Sequence, residues 1–102
     1  MPLPLRAACD LVRLFQQVAM GQNEDAVAGL TDRRAGFRRH LSTRAGYGYA
    51  LLAAAMDALG RRTEAATLWS DATALIRPDR LIEEFDLLQG VSRTYPATEH
   101  RI

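Results

Sequence analysis

Catalysis needs a nucleophile, a general base or a metal ligand within reach of a second such group, and this sequence is poor in all three. One cysteine, Cys9, stands beside Asp10, and the two histidines are His40 and His100. A reactive thiol requires a base and an electropositive pocket, and nothing in the spacing brings either histidine to Cys9. The expectation for Cys9 is a buried, inert side chain. No pair of Cys or His residues has zinc-ligand spacing, and there is neither a glycine-rich phosphate loop nor a nucleophile elbow. Glu83, Glu84 and Asp86 resemble paired carboxylates, but on the opening turns of a helix they favour its dipole and its solubility. The chain is therefore expected to hold no catalytic residue, no metal and no cofactor, and not to be an enzyme.

One stretch is dense in charge. RRAGFRRHLSTR, from Arg33 to Arg44, sets Arg33, Arg34, Arg38, Arg39 and Arg44 with His40 in twelve residues. Such a segment can grip phosphates or an acidic partner, with Phe37 and Tyr47 nearby for stacking. Yet Arg34, Phe37 and Leu41 share a helical face, so part of the cluster must lay its stems along the core. The remaining arginines spread around the helix, and no helix-turn-helix signature follows in register. The main expectation is a solvated or partner-facing surface. A nucleic-acid-associated regulator is the alternative.

The totals narrow the class further. The chain has 102 residues, 48% of them hydrophobic, and a net charge of +1, with all thirteen basic residues arginine. That length fits one domain, and the near-neutral balance supplies no global field toward nucleic acid or membrane. A lone cysteine excludes an internal disulfide framework and suits a reducing compartment. No apolar run reaches the roughly 18 residues of a membrane span, and the opening residues do not read as a secretory leader. A cytoplasmic protein is expected.

Hydrophobic periodicity predicts an all-α fold of five helices, over 5–20, 24–40, 43–59, 63–77 and 79–90. They form one domain over 1–95, followed by a loose tail over 96–102. Pro2 and Pro4 hold the first residues extended. Leu11, Leu14, Phe15 and Val18 make the first apolar stripe, Gly21 caps it, and Asn23 caps the next helix. Ala26, Val27, Leu30, Phe37 and Leu41 line the second helix, whose Gly29 and Gly36 admit a close neighbour or mark a break near Ala35. Ser42 and Thr43 cap the third, whose body YGYALLAAAMDAL is apolar nearly all round and belongs in the middle of a bundle. Gly60 closes it, and Ala65, Leu68, Trp69, Ala72, Leu75 and Ile76 give the fourth its face. Pro78 stops that helix, and Asp79 caps a fifth with Glu83 and Glu84 near its start. Leu81, Ile82, Phe85, Leu88 and Val91 form its stripe, which Gly90 and Pro96 end.

The segment ALGRRTEAATLW, Ala58 to Trp69, echoes AMGQNEDAVAGL, Ala19 to Leu30. Gly21 aligns with Gly60, Ala26 with Ala65, Leu30 with Trp69 and Phe37 with Ile76. Glycine suits the left-handed end of a hairpin's first helix, and the alanine lets the second helix pack close. On these residues the unit from Tyr47 to about Arg80 resembles a tetratricopeptide repeat. Tyr49, Leu52, Ala53 and Met56 stand where that family has an aromatic, Leu-Gly and a second aromatic. Gly60, Ala65, Trp69, Ala72 and Pro78 supply its second half, with the proline one residue late. The first unit, about 8–41, is degenerate: Gly21, Ala26 and Leu30 fit, Arg33 fills a small-residue position, and the spacing is 39 against a family period of about 34. The fifth helix would cap the stack.

The resemblance implies a non-enzymatic interaction or scaffold module with a groove along its first helices. Here that groove maps to Tyr47, Ala50, Leu51, Ala54 and Asp57, and the family's carboxylate clamp is absent from it. Small apolar residues suit an amphipathic helix of a protein or peptide partner, a second copy of the chain, or the chain's own N-terminus. A chaperone for a small secreted or assembly subunit is a further alternative.

Overall fold

In the computed structural model, which describes residues 2–96, the chain is all-α. Seven helices run α1 Leu3–Ala19, α2 Asn23–Val27, α3 Leu30–His40, α4 Ala45–Ala58, α5 Arg62–Leu75, α6 Pro78–Glu84 and α7 Gln89–Thr94. Single 3₁₀ turns at Ser42–Arg44 and Asp86–Leu88 join α3 to α4 and α6 to α7, and no strand occurs among the described residues. Of the expected loose tail, only Pro96 is described.

The core is built around α4. Its near-absence of charge has the expected consequence: Ala50, Leu51, Leu52, Ala53, Ala55 and Met56 are all 0% exposed. It packs against α1, α2, α3, α5 and α7, most extensively against α5. Trp69 on α5 is 1% exposed. Two glycines make room for this crowding. A Cβ on Gly48 would overlap the ring of Phe37 from α3, and one on Gly46 would stand 2.8 Å from the Ile76 side chain.

The two echoed glycines end their helices in the same way. At Gly21 (φ 75°) the amide of Gln22 donates to the Gln17 carbonyl at 2.8 Å and that of Gly21 to Val18 at 3.1 Å. At Gly60 (φ 77°) Arg61 donates to Met56 at 2.9 Å and Gly60 to Asp57 at 3.0 Å. Both are Schellman caps, which satisfy the last carbonyls while reversing the chain. The sequence echo is therefore an echo of backbone geometry.

Several expected boundaries move. Helix α1 starts at Leu3 because Pro4 falls in its first turn, where a missing amide hydrogen costs nothing. Asn23 is the first residue of α2 and makes no capping bond. The single helix expected over 24–40 is two: Ala28 is extended and Gly29 is left-handed (φ 70°). The break thus lies at Gly29, not near Ala35, while Gly36 stays helical with no neighbour within 4 Å of where its Cβ would be. Ser42 does not cap α4 through its side chain; it takes a left-handed φ of 54° and feeds a 3₁₀ turn.

The last third differs most. Ile76 is already extended, and Pro78 begins α6 instead of stopping α5. The residue before proline avoids the helical region and proline suits a first helical position, so Arg77-Pro78 restarts the chain in a new direction. Asp79 is held by Arg77 at 3.0 Å, not by free amides. A second extended residue, Phe85, splits the expected fifth helix; Glu83 and Glu84 close α6, and Gly90 lies inside α7.

Two stability tests follow from these contacts. Gly48→Ala should lower unfolding free energy by about 1–3 kcal/mol through overpacking against the sealed Phe37 ring, whereas Gly36→Ala should raise it by up to about 1 kcal/mol through helix propensity. The second concerns the break at Gly29, which deprives the Ala26 carbonyl of its helical donor. Arg33 Nη1 supplies one at 2.7 Å, so Arg33→Ala should cost about 1–2 kcal/mol. Urea denaturation of the variants reads all three changes.

Candidate functional site

The groove expected on α4 is already occupied by the chain itself. Ala50 and Leu51 are 0% exposed, so they offer nothing to a partner in this fold. Tyr47 is half-buried and meets the Phe85 ring edge-on, 5.5 Å between centroids, and Phe85 in turn leans on Phe15 of α1 at 5.1 Å. Ala54 is half-buried, and the Asp57 carboxylate accepts a 2.7 Å hydrogen bond from the Tyr95 hydroxyl. The cover is therefore the C-terminal segment, with Leu81, Leu88 and Val91 sealed into the core, not the N-terminus alone. The extended residues Ile76 and Phe85 cause this, because each turn brings the chain back across α4 instead of onward.

Tyr95 is the clasp on that cover. Its hydrogen bond to Asp57, then burial, raise its pKa above the ordinary phenol value. The neutral phenol is the donor, so the clasp holds below the ordinary ionisation range near pH 10 and is lost as pH climbs through the raised value.

The arginine cluster is divided by the fold. Arg33 turns inward to the Ala26 carbonyl and to Gln17 Oε1 at 3.1 Å. Arg34 pairs with Asp71 of α5 at 2.6 Å and lies 5.7 Å from the centroid of the Tyr49 ring. Arg38, Arg39 and Arg44 are exposed, and His40 is half-buried in a shallow groove shared with Arg6, Asp10 and Arg13 of α1. Two of the five arginines are thus committed within the molecule, and no one surface carries the set.

Two surfaces escaped the sequence reading. One is a cleft of about 870 Å³ between α3 and α5, floored by the start of α4 and lined in part by Leu30, Arg34, Arg38, Tyr49, Asp71 and Leu75. Burial raises the Tyr49 pKa, while Arg34 and then Arg38 oppose the shift. The available signal was the matched four-residue step of Arg34 to Arg38 and Asp71 to Leu75, which can be paired only once α3 and α5 are known to flank α4. The other is the outer face of α1, where Leu5, Val12 and Met20 are 52%, 58% and 71% exposed. Cys9 shares that face and is exposed, which corrects the expectation of a buried thiol. It stands two residues from the buried Ala7 and five before the buried Leu14, and so points away from both.

Among the described residues no three His, Cys, Asp or Glu side chains gather as metal ligands, and no helix is long and apolar enough to cross a membrane. Glu83, Glu84 and Asp86 are exposed. His100 lies outside the described residues. What the geometry defines is a class, a compact all-α protein with a self-covered central helix. No family model matches the chain, and no match was found among curated proteins or solved structures.

The Tyr95 clasp is testable without unfolding the protein. Tyr95→Phe should speed hydrogen exchange of the α7 amides severalfold while leaving α5 amides unchanged, as read by exchange mass spectrometry; equal protection in α7 would show that the bond contributes nothing to the cover.

Proposed function

We propose that this protein is a non-catalytic helical interaction module of tetratricopeptide-like build, working by self-association through the outer face of α1. One observation carries the reading: Leu5 and Val12 on α1 and Met20 at its C-cap, large apolar side chains more than half exposed, lie on one side together with Cys9 and the exposed Gln16. Apolar surface left in water costs about 25 cal/mol per Å², and helix steps of three, four and seven or eight residues are those by which two helices interlock. With α1 paired antiparallel to its copy about a two-fold axis near Val12, Leu5 of one chain meets Met20 of the other. A helix of that length spans about 25 Å, which suits a small, reversible interface.

The tetratricopeptide-like build is supported by the repeated Schellman caps at Gly21 and Gly60 and by the burial of Ala26, Ala65 and Trp69 at corresponding or neighbouring positions. The broken α2–α3 pair departs from that pattern. A free thiol on the association face fits a reducing, cytoplasmic setting.

Sedimentation equilibrium over a wide concentration range tests the reading. The wild-type chain should pass from monomer to dimer, Val12→Glu should hold it monomeric with an unchanged circular dichroism spectrum, and maleimide labelling of Cys9 should slow as the dimer fills. A wild-type chain that stays monomeric throughout would remove the proposal.

A further inference from the structure

The cleft between α3 and α5 is separate from the α1 face and has a composition of its own. Tyr49 is 6% exposed, and no hydrogen bond contributes to the environment of its phenol. The hydroxyl is nevertheless not sealed, since the one sealed, unpartnered side-chain polar atom among the described residues is Trp69 Nε1. A buried ring therefore presents an open donor to the cleft without a protein acceptor. Such an accessible donor bonds to solvent when the cleft is empty, so a ligand oxygen can take the place of that water.

The charges narrow the ligand. The lining holds two arginines, Arg34 and Arg38, and one carboxylate, Asp71. Asp71 is already bonded to Arg34 at 2.6 Å, which leaves the Arg38 guanidinium uncompensated. The rest of the wall combines Leu30, Leu75 and three alanines with the hydroxyl residues Thr31, Ser42 and Thr43. A singly charged anion balances this set. A doubly charged phosphate would exceed the single surplus positive charge of the set, and a neutral ligand would gain no charge-assisted hydrogen bond from the exposed Arg38 guanidinium. The volume of about 870 Å³ lies within the range of sites that take small organic molecules.

We propose that this cleft binds a small apolar monocarboxylic acid, its carboxylate accepting from Arg38 and the Tyr49 hydroxyl and its body lying against Leu30 and Leu75. Arg34 sets the position of the Tyr49 ring beneath it, and Asp71 limits the site to one negative charge. No residue lining the cleft belongs to α1, so binding there does not depend on self-association.

Isothermal titration of the full chain with 3-phenylpropanoate, beside its amide and inorganic phosphate, tests the assignment. The acid should bind saturably and the amide about tenfold or more weakly, as expected for loss of a charge-assisted hydrogen bond. Arg38→Gln should weaken the acid by a similar factor, and Tyr49→Phe, which keeps the ring, by about threefold to tenfold. Asp71→Asn should tighten it severalfold by releasing Arg34; a role confined to holding the fold would not produce a gain. Monomeric Val12→Glu should bind the acid as the wild type does, which keeps this proposal distinct from self-association. Equal binding of acid and amide, tighter binding of phosphate, or an Asp71→Asn loss in a folded protein would each overturn it. A phenylalanine-ended peptide binding more tightly than the free acid would overturn the small-molecule assignment in favour of a peptide terminus.

Discussion

The contact between the Phe37 ring and the bare backbone of Gly48 sets the spacing of this molecule. Phe37 is 1% exposed and rests where any side chain on Gly48 would have to stand. Ile76 makes the matching approach to Gly46 from the end of α5. With α3 on one glycine and the close of α5 by the other, α4 is gripped near its first turns by both neighbours. Its alanines then let the remaining helices come close along its length. A helix this apolar cannot be left at a surface, and the glycines are what permit it to be surrounded.

Once α4 is central, the other features fall into place around it. The Schellman caps reverse the chain at Gly21 and Gly60 while giving the carbonyls of Gln17, Val18, Met56 and Asp57 partners. The break at Gly29 redirects α3 so that Phe37 reaches Gly48, and Arg33 satisfies the carbonyl that the break exposes. The C-terminal segment closes the remaining side through Phe85, Leu88 and Val91. Here the resemblance to a tetratricopeptide stack and the observed structure part company in a physically simple way. A capping helix that continues the stack would leave the groove on α4 open. A chain with extended residues at Ile76 and Phe85 folds back and fills it.

The fold class, the central place of α4, the caps at both glycines and the burial of Trp69 were legible because each is written in local chemistry. Glycine after an apolar stripe, a body without charge and a four-residue apolar step all act within one element. Gly29 and Gly36 show the limit. Both stand in the same helical pattern, and only the tertiary demand on Phe37 makes one a hinge and leaves the other helical. The candidate site was less legible for the same reason. Tyr47 and Asp57 read in the sequence as a partner surface, but their partners, Phe85 and Tyr95, arrive from a segment whose direction is decided at Ile76. The Arg34–Asp71 pair spans residues far apart in the chain, and no periodicity announces it. Cys9 escapes the periodicity because α1 carries exposed apolar residues, Leu5 and Val12, on the side away from its buried stripe.

The sealed indole of Trp69 has a spectroscopic consequence. It is the chain's sole tryptophan, and its Nε1 is sealed from bulk solvent with no protein acceptor. An excited indole in so dry a setting has little solvent dipole to relax against, so the native protein should fluoresce toward the blue. Any parting of α5 from α4 lets water reach the ring and moves the emission red. The molecule thus carries an intrinsic optical gauge of whether its central hairpin is shut.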